Sequence, residues 1–206
     1  MKTLVLIGAT GDLGRGVVPR LARDYRLVIV YREADRFAQL QEANGGALTG
    51  LESLAGLTTA GEIHGLVHLA GGFAPGSAAA DFTRMYSINV QPFAEAVEAV
   101  LPHLADRGRI VAISSAASLT KPAGLAAYTA SKAALNATVE TLAKDLRPRG
   151  ITVNALLPTT LDTPANRASM KPDQLVPLER IAETIAFLHS EPAQNVTGQL
   201  LVMGGA

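Results

Sequence analysis

The hydrophobic positions of the chain fall into two alternating kinds of segment. Short runs rich in Val, Ile and Leu occupy residues 3–7, 27–31, 65–70, 109–114, 151–156 and 199–203, with a weaker one near 47–49. Most are apolar along their whole length rather than at every second position, the pattern of strands covered on both faces of a parallel sheet. Between them lie longer, Ala-rich stretches with polar residues at helical intervals. These predict helices over 13–23, 35–43, 81–105, 126–147 and 177–190. Strict alternation of strand and helix implies an α/β fold: one doubly wound parallel sheet of about seven strands, helices on both faces, and right-handed crossovers. Pro92, inside the 81–105 stretch, marks a kink or a break. Residues 158–177 contain Pro158, Pro164, Pro172 and Pro177 and are expected to form a surface loop with one short helix.

Composition narrows the function classes. A chain of 206 residues, 48% of them hydrophobic, supports one domain over 1–206 with a sizeable core. Eighteen basic and eighteen acidic residues cancel, which argues against nucleic acid or an acidic membrane surface as partner. There is no cysteine, so disulfides, thiolate metal sites and cysteine nucleophiles are excluded. His64, His68, His103 and His189 lack ligand spacing, so no metal is expected. The apolar run in the opening "MKTLVLIGATGDLG" is too short for a signal-peptide core, and no stretch is long enough to span a bilayer. The expectation is a cytoplasmic protein acting on a small molecule.

The segment "LIGATGDLGRG" leaves the first strand and opens the first helix. Gly8, Gly11 and Gly14 permit a tight turn and close approach to a pyrophosphate, while the helix start offers free N–H groups to phosphate. In this strand–turn–helix context the glycines point to a bound dinucleotide and a Rossmann-type sheet. At the second strand tip stand Tyr31 and Arg32, followed by Glu33. A guanidinium there pairs with a 2′-phosphate, which favours NADP(H) over NAD(H). Alternatively Arg32 is an exposed loop charge and Glu33 binds the ribose.

The chain has four tyrosines, and Tyr128 precedes Lys132 by four residues in "AAYTASKAAL". On a helix the two share a face. A free phenol, with a pKa of about 10, transfers protons poorly at neutral pH, and a nearby ammonium lowers that value. Thirteen positions before Tyr128, Ser115 ends the strand "RIVAISS" at the sheet edge where ligands bind. Ser115 is placed to hold a substrate oxygen while Tyr128 gives it a proton. Ser114 and Ser118 flank Ser115 and are candidates for the same bond.

These segments, in this order, resemble the short-chain dehydrogenase/reductase family over nearly the whole chain. "GATGDLG" is similar to the family's phosphate loop, "LAGG" to its Asn-Asn-Ala-Gly segment, and "YSINV" supplies the helix asparagine, Asn89. Ser115 and the Tyr128–Lys132 pair match its serine and Tyr-x-x-x-Lys motif, and "LPTTLDT" its Pro-Gly-x-x-x-Thr stretch. The resemblance implies an NAD(P)H-dependent oxidoreductase for small carbonyl or alcohol substrates, working as a homodimer or homotetramer. It makes Tyr128 the acid/base, Lys132 the ligand of the nicotinamide ribose, Ser115 the holder of the substrate oxygen and Asn89 the holder of a relay water. It assigns the cofactor to Gly8, Thr10, Gly11, Asp12, Leu13 and Gly14 of the loop, and to Tyr31 and Arg32. Ala70, Gly71 and Gly72, Pro158 and Thr163, and Tyr128 and Lys132 complete its set, with Thr163 on the carboxamide.

The sequence departs from that pattern at Asp12, Leu69 and Thr159, and residues 44–64 are short for a full third strand and fourth helix. "LAGGFAPG" and "LPTTLDTPANRASM" look like segments of the dihydropteridine reductases, small members that reduce a quinonoid pterin and prefer NADH. Tyr31, Arg32 and Ser115 differ from that subgroup. A protein that binds NADP as a sensor without turnover is the alternative from outside enzymology.

Overall fold

The computed structural model describes residues 1–205. In chain order the elements are β1 (Thr3–Ile7), α1 (Asp12–Leu21), β2 (Arg26–Val30), α2 (Ala34–Ala43), β3 (Thr49–Leu51), β4 (Ile63–His68), α3 (Ala79–Asn89), α4 (Gln91–Val100), β5 (Leu104–Ile113), α5 (Ala117–Thr120), α6 (Ala126–Asp145), β6 (Thr152–Pro158), α7 (Pro164–Arg167), α8 (Leu178–His189) and β7 (Leu200–Met203). The strands form one sheet in the order β3-β2-β1-β4-β5-β6-β7, every pair parallel. This is the Rossmann-like α/β architecture that the alternation predicts. The winding reverses between β1 and β4, which opens a crevice at their carboxyl ends.

Why the strands read as continuous apolar runs is visible in where successive side chains go. Leu4, Leu6, Leu27, Ile29, Val67 and Val111 belong to one buried cluster, covered by α1 and α8. Val5, Val28, Leu66, Ile110 and Ala112 belong to the other, covered by α4 and α6. Alternate Cβ atoms point to opposite faces, and both faces are covered, so both must be apolar. The α1–α8 crossing is close: a Cβ on Gly16 would lie 2.4 Å from Leu178 Cβ.

Three elements differ from the sequence expectation. The single helix expected over 81–105 is two. α3 ends at Asn89, and α4 restarts at Gln91 with Pro92 in its first turn, where the missing N–H costs nothing. Pro102 then opens a 3₁₀ turn, Leu101–His103, and β5 begins at Leu104, five residues before the expected 109. Between its first pair, Ile63 with Leu104, and the resumption at Gly65 with Arg109, β5 bulges outward through Arg107, held at φ 62°. The third strand is displaced to Thr49–Leu51, and the helix after it shrinks to a 3₁₀ turn, Leu54–Thr59, whose Leu57 is buried.

Two histidines are buried in the core without charge compensation. His68, at the end of β4, meets Phe93 edge-on at 5.4 Å, and both its ring nitrogens lack partners among the described residues. His189 closes α8, its Nδ1 2.9 Å from the Ile185 carbonyl. Burial pushes each down to about 4. The unfolded chain takes up these protons near pH 6.5 and the folded chain only near 4, so stability falls as pH drops through that window. Urea denaturation should show this acid loss, on the order of 3 kcal/mol per histidine when complete. The double variant His68→Gln/His189→Gln should lose less stability on acidification; an unchanged pH dependence would contradict the assignment.

Candidate active site

The crevice at the β1–β4 switch is walled by the glycine loop. Gly8 sits at φ 80°, and a Cβ there would lie 2.5 Å from Ala70 N, so β1 and the segment after β4 meet without side-chain atoms between them. A Cβ on Gly14 would lie 1.7 Å from Ala9 O. The turn closes with Gly11 N donating to Gly8 O at 3.2 Å and Gly14 N to Gly11 O at 3.1 Å. Gly11 caps α1 with no side-chain bond, leaving backbone N–H groups at the helix start for an anion. Gly8 and Gly14 let the loop pack against the Ala70 and Ala9 backbone, while beside Gly11 a Cβ would meet only Gly8 O at 3.5 Å, and this tight turn with free N–H groups at the helix start fits the pyrophosphate of a dinucleotide. Leu13 is buried in the core, so only its backbone is available, and Asp12 is exposed in the first turn.

At the β2 tip, Tyr31 N donates to Leu51 O and its ring stacks on Phe37, centroids 4.5 Å apart and planes 4° from parallel. Glu33 pairs with Arg36 at 3.0 Å, while Arg32 is exposed. The carboxylate that competed with Arg32 for the ribose thus already holds a cation. Phe37 escaped sequence reasoning because nothing in a helix-face aromatic announces a stack on the preceding strand tip.

On the far wall, Asn89 ends α3 fully buried. Its Oδ1 accepts from Gly72 N at 2.9 Å, and its Nδ2 donates to Gly72 O at 3.0 Å and Ser131 Oγ at 3.1 Å. The amide therefore clamps the 71–72 segment to α6. Ser131, not singled out from sequence, completes that clamp by donating to Tyr128 O at 2.7 Å. A Cβ on Gly71 would lie 2.9 Å from Asn89 Oδ1 and 3.1 Å from Lys132 Nζ, so glycine keeps open the space above both groups.

Ser115, Tyr128 and Lys132 are brought together. Ser115 follows β5, and its Oγ accepts from Ala117 N at 3.2 Å. Ser118 donates to Ser115 O at 2.6 Å and Asn136 Nδ2 to Ser118 Oγ at 2.8 Å, while Ser114 Oγ donates to Lys132 O at 3.3 Å. Ser114 and Ser118 are thus spent on internal bonds, and Ser115 is the serine whose hydroxyl acts on Tyr128. Burial pushes the Tyr128 phenol up from its ordinary value, with the nearby Ser115 hydroxyl opposing. Lys132, itself buried, donates to Ile113 O at 3.0 Å and is pushed down to about 8 by burial. The expectation that the ammonium lowers the phenol's pKa is therefore corrected: in this state Lys132 is directed to the strand backbone, and desolvation dominates Tyr128. Phe73, 64% exposed, packs edge-on against the Tyr128 ring at 5.0 Å. Pro158 O accepts from Ala116 N at 3.0 Å, tying β6 to the serine segment. Thr163 caps α7 by accepting from Asn166 N at 3.4 Å, which leaves its own O–H free to donate.

A family profile described as Enoyl-(Acyl carrier protein) reductase matches residues 52–205. The "Cyclic-di-GMP-binding biofilm dispersal mediator protein" of Escherichia coli is 32% identical, covering 100% of this chain and 96% of that protein. The chain belongs to the short-chain dehydrogenase/reductase family. Among solved family structures, a short-chain dehydrogenase/reductase from Serratia marcescens superposes with TM-score 0.87 at 30% identity, covering 99% of this chain and 96% of the other. The structure of BdcA in complex with NADPH superposes with TM-score 0.86 at 28% identity, covering 100% and 93%. Within the family frame, the Asn89 clamp is the feature on which the site's geometry rests most directly. Asn89→Ala should leave the half-buried Gly72 N–H and the buried Ser131 Oγ without their amide partner and cost about 1–2 kcal/mol in urea denaturation; an unperturbed midpoint would contradict the clamp.

Proposed function

We propose that the protein is an NADPH-dependent reductase of small carbonyl compounds, with Tyr128 as the proton donor. The observation that carries this is the grouping of buried Ser115, half-buried Tyr128 and buried Lys132, with Lys132 Nζ against Gly71 in the segment that Gly8 of the glycine loop abuts. When bound, the nicotinamide supplies the hydride. Gly8 and Gly14 allow the tight turn that presents the α1 start, Gly11 leaves it unobstructed, and the free N–H groups there bind the pyrophosphate. Lys132 Nζ, held at the Ile113 carbonyl beneath Gly71, donates to a ribose hydroxyl. Ser115 O–H donates to the substrate carbonyl oxygen and fixes its position. Tyr128 remains a protonated phenol at neutral pH because burial raises its pKa, so it holds the proton the carbonyl oxygen needs as the adjacent carbon receives hydride. The product is the alcohol, and the phenolate left behind takes a proton from water. Phe73, exposed over the Tyr128 ring, forms the apolar side of the substrate mouth. NADPH complexes of similar proteins support the cofactor class. Exposed Phe82 and Tyr86 on α3, beside α6, suit the self-association that the family resemblance implies.

A second reading, a nucleotide-binding regulator without turnover, is supported by the name of the Escherichia coli relative. The two separate on one variant. Tyr128→Phe keeps the ring and its packing, so the reductase predicts turnover lowered about 10³-fold or more with NADPH affinity nearly unchanged. Retained turnover would overturn Tyr128 as donor, and absence of any turnover in the parent protein with every carbonyl class tried would favour the regulator. Arg32 carries the cofactor preference. Arg32→Ala should weaken NADPH binding about tenfold or more and leave NADH within about twofold, measured by fluorescence titration; equal losses would assign Arg32 no role at the 2′-phosphate.

A further inference from the structure

Tyr128, Lys132 and Asn136 stand on successive turns of α6, each four residues after the last. The reductase reading gives work to the first two. Asn136, buried on the same helix, reaches the serine segment as well. Its Nδ2 donates to Ser118 Oγ at 2.8 Å, and Ser118 Oγ donates to Ser115 O at 2.6 Å. All three residues of this bridge are buried.

The protons of the bridge have one arrangement. A serine hydroxyl carries one proton, and Ser118 gives it to the Ser115 carbonyl. Ser118 Oγ can then only accept from the amide, so Asn136 turns its NH₂ toward Ser118. The Asn136 Oδ1 is left buried with no partner among the described residues. The amide thus keeps this bond at the expense of an unpaired oxygen, which an apolar side chain at 136 would avoid.

What the bridge holds is the backbone of Ser115. The Oγ of the same residue accepts from Ala117 N at 3.2 Å, which leaves its O–H to donate to a substrate oxygen. The residues on either side are tied to β6, Ser114 N to Leu156 O at 2.8 Å and Ala116 N to Pro158 O at 3.0 Å. Those bonds set the segment against the sheet. Its register against α6 comes from Lys132 Nζ on Ile113 O at 3.0 Å, from Ser114 Oγ on Lys132 O at 3.3 Å, and from the bridge, which carries the link on to Ser115 itself.

We infer that Asn136 is a positioning residue that acts through Ser118 to hold Ser115 in register with Tyr128. The inference rests on the reductase reading of this site. One helix then sets both the group that gives the proton and the group that holds the oxygen receiving it. A misplacement of about 1 Å between two such groups costs on the order of 10²-fold in rate.

Steady-state kinetics of bridge variants tests this. Ser118→Ala removes both bonds with the loss of one oxygen atom, and Asn136→Ala removes the anchor. Each should lower kcat about tenfold or more, with NADPH affinity within about twofold of the parent by fluorescence titration. Ser118→Thr keeps the hydroxyl and should return kcat to within about threefold of the parent. Because the bridge acts through Ser115, Asn136→Ala should change turnover by less than about twofold in a Ser115→Ala background. A merely structural amide would cost the same factor in both backgrounds. Asn136→Ala is at risk of misfolding, and Ser118→Ala with its threonine rescue stands without it.

A readout apart from turnover is the Tyr128 phenol, which the nearby Ser115 hydroxyl holds down against burial. Ser118→Ala should move its ionisation upward, in the same direction as Ser115→Ala. Fluorine NMR of protein carrying fluorotyrosine reads this, the Tyr128 signal being assigned by its absence in Tyr128→Phe. A parent without turnover would sink the reductase reading, and this titration would still decide the positioning. An unmoved phenol in Ser118→Ala, undiminished kcat in that variant, a matching loss of NADPH affinity, or the full Asn136→Ala factor in the absence of the Ser115 hydroxyl would each overturn the inference.

Discussion

Everything at the crevice depends on β1 and the chain leaving β4 approaching each other with no side chain between them. Gly8 turns at positive φ directly against the Ala70 backbone, and a single methyl group there would overlap Ala70 N. That contact fixes where the loop goes, hence where α1 begins and where its free N–H groups point. It also fixes the path of residues 70–72, which Asn89 then clamps to α6. The phosphate cradle on one wall and the Tyr128–Lys132 face on the other are therefore set by one backbone-to-backbone approach and one buried amide.

α6 turns this geometry into chemistry. Its i, i+4 spacing places Tyr128 and Lys132 on one face, and Ser131 between them joins the Asn89 clamp. Burial acts on the two titratable groups in opposite senses of charge but toward the same state. The phenol is held protonated and the ammonium is eased toward neutrality. A site that keeps its proton on Tyr128 at rest is arranged for giving it up as charge develops on a substrate oxygen. The bond from Lys132 to the Ile113 carbonyl shows that this lysine is anchored to β5 in addition to whatever it binds above.

Much of this was legible in the sequence, for a physical reason. Strands covered on both faces leave uninterrupted apolar runs, and the glycines at 8 and 14 are demanded by steric overlap, so both signals survive in one sequence. The serine, tyrosine and lysine were found because helical spacing and strand-end position determine who meets whom. What was not legible came from long-range contact. The split at Val90 and the early start of β5 depend on how Pro92, Pro102 and the Arg107 bulge fit the neighbouring strand. The stack of Phe37 on Tyr31, the role of Ser131 and the orphaned His68 arise from packing that no local period encodes. The sense of the Tyr128 shift was missed because a neighbouring lysine is visible in sequence and burial is not.

The central claim is that this arrangement transfers hydride from NADPH and a proton from Tyr128 to a carbonyl. The most direct test is NADPH oxidation by the purified protein across aldehydes, ketones, quinones and a quinonoid pterin, with NADH in parallel. The account predicts turnover with NADPH on at least one of these classes, faster than with NADH. Tight NADPH binding with no turnover on any of them would contradict it.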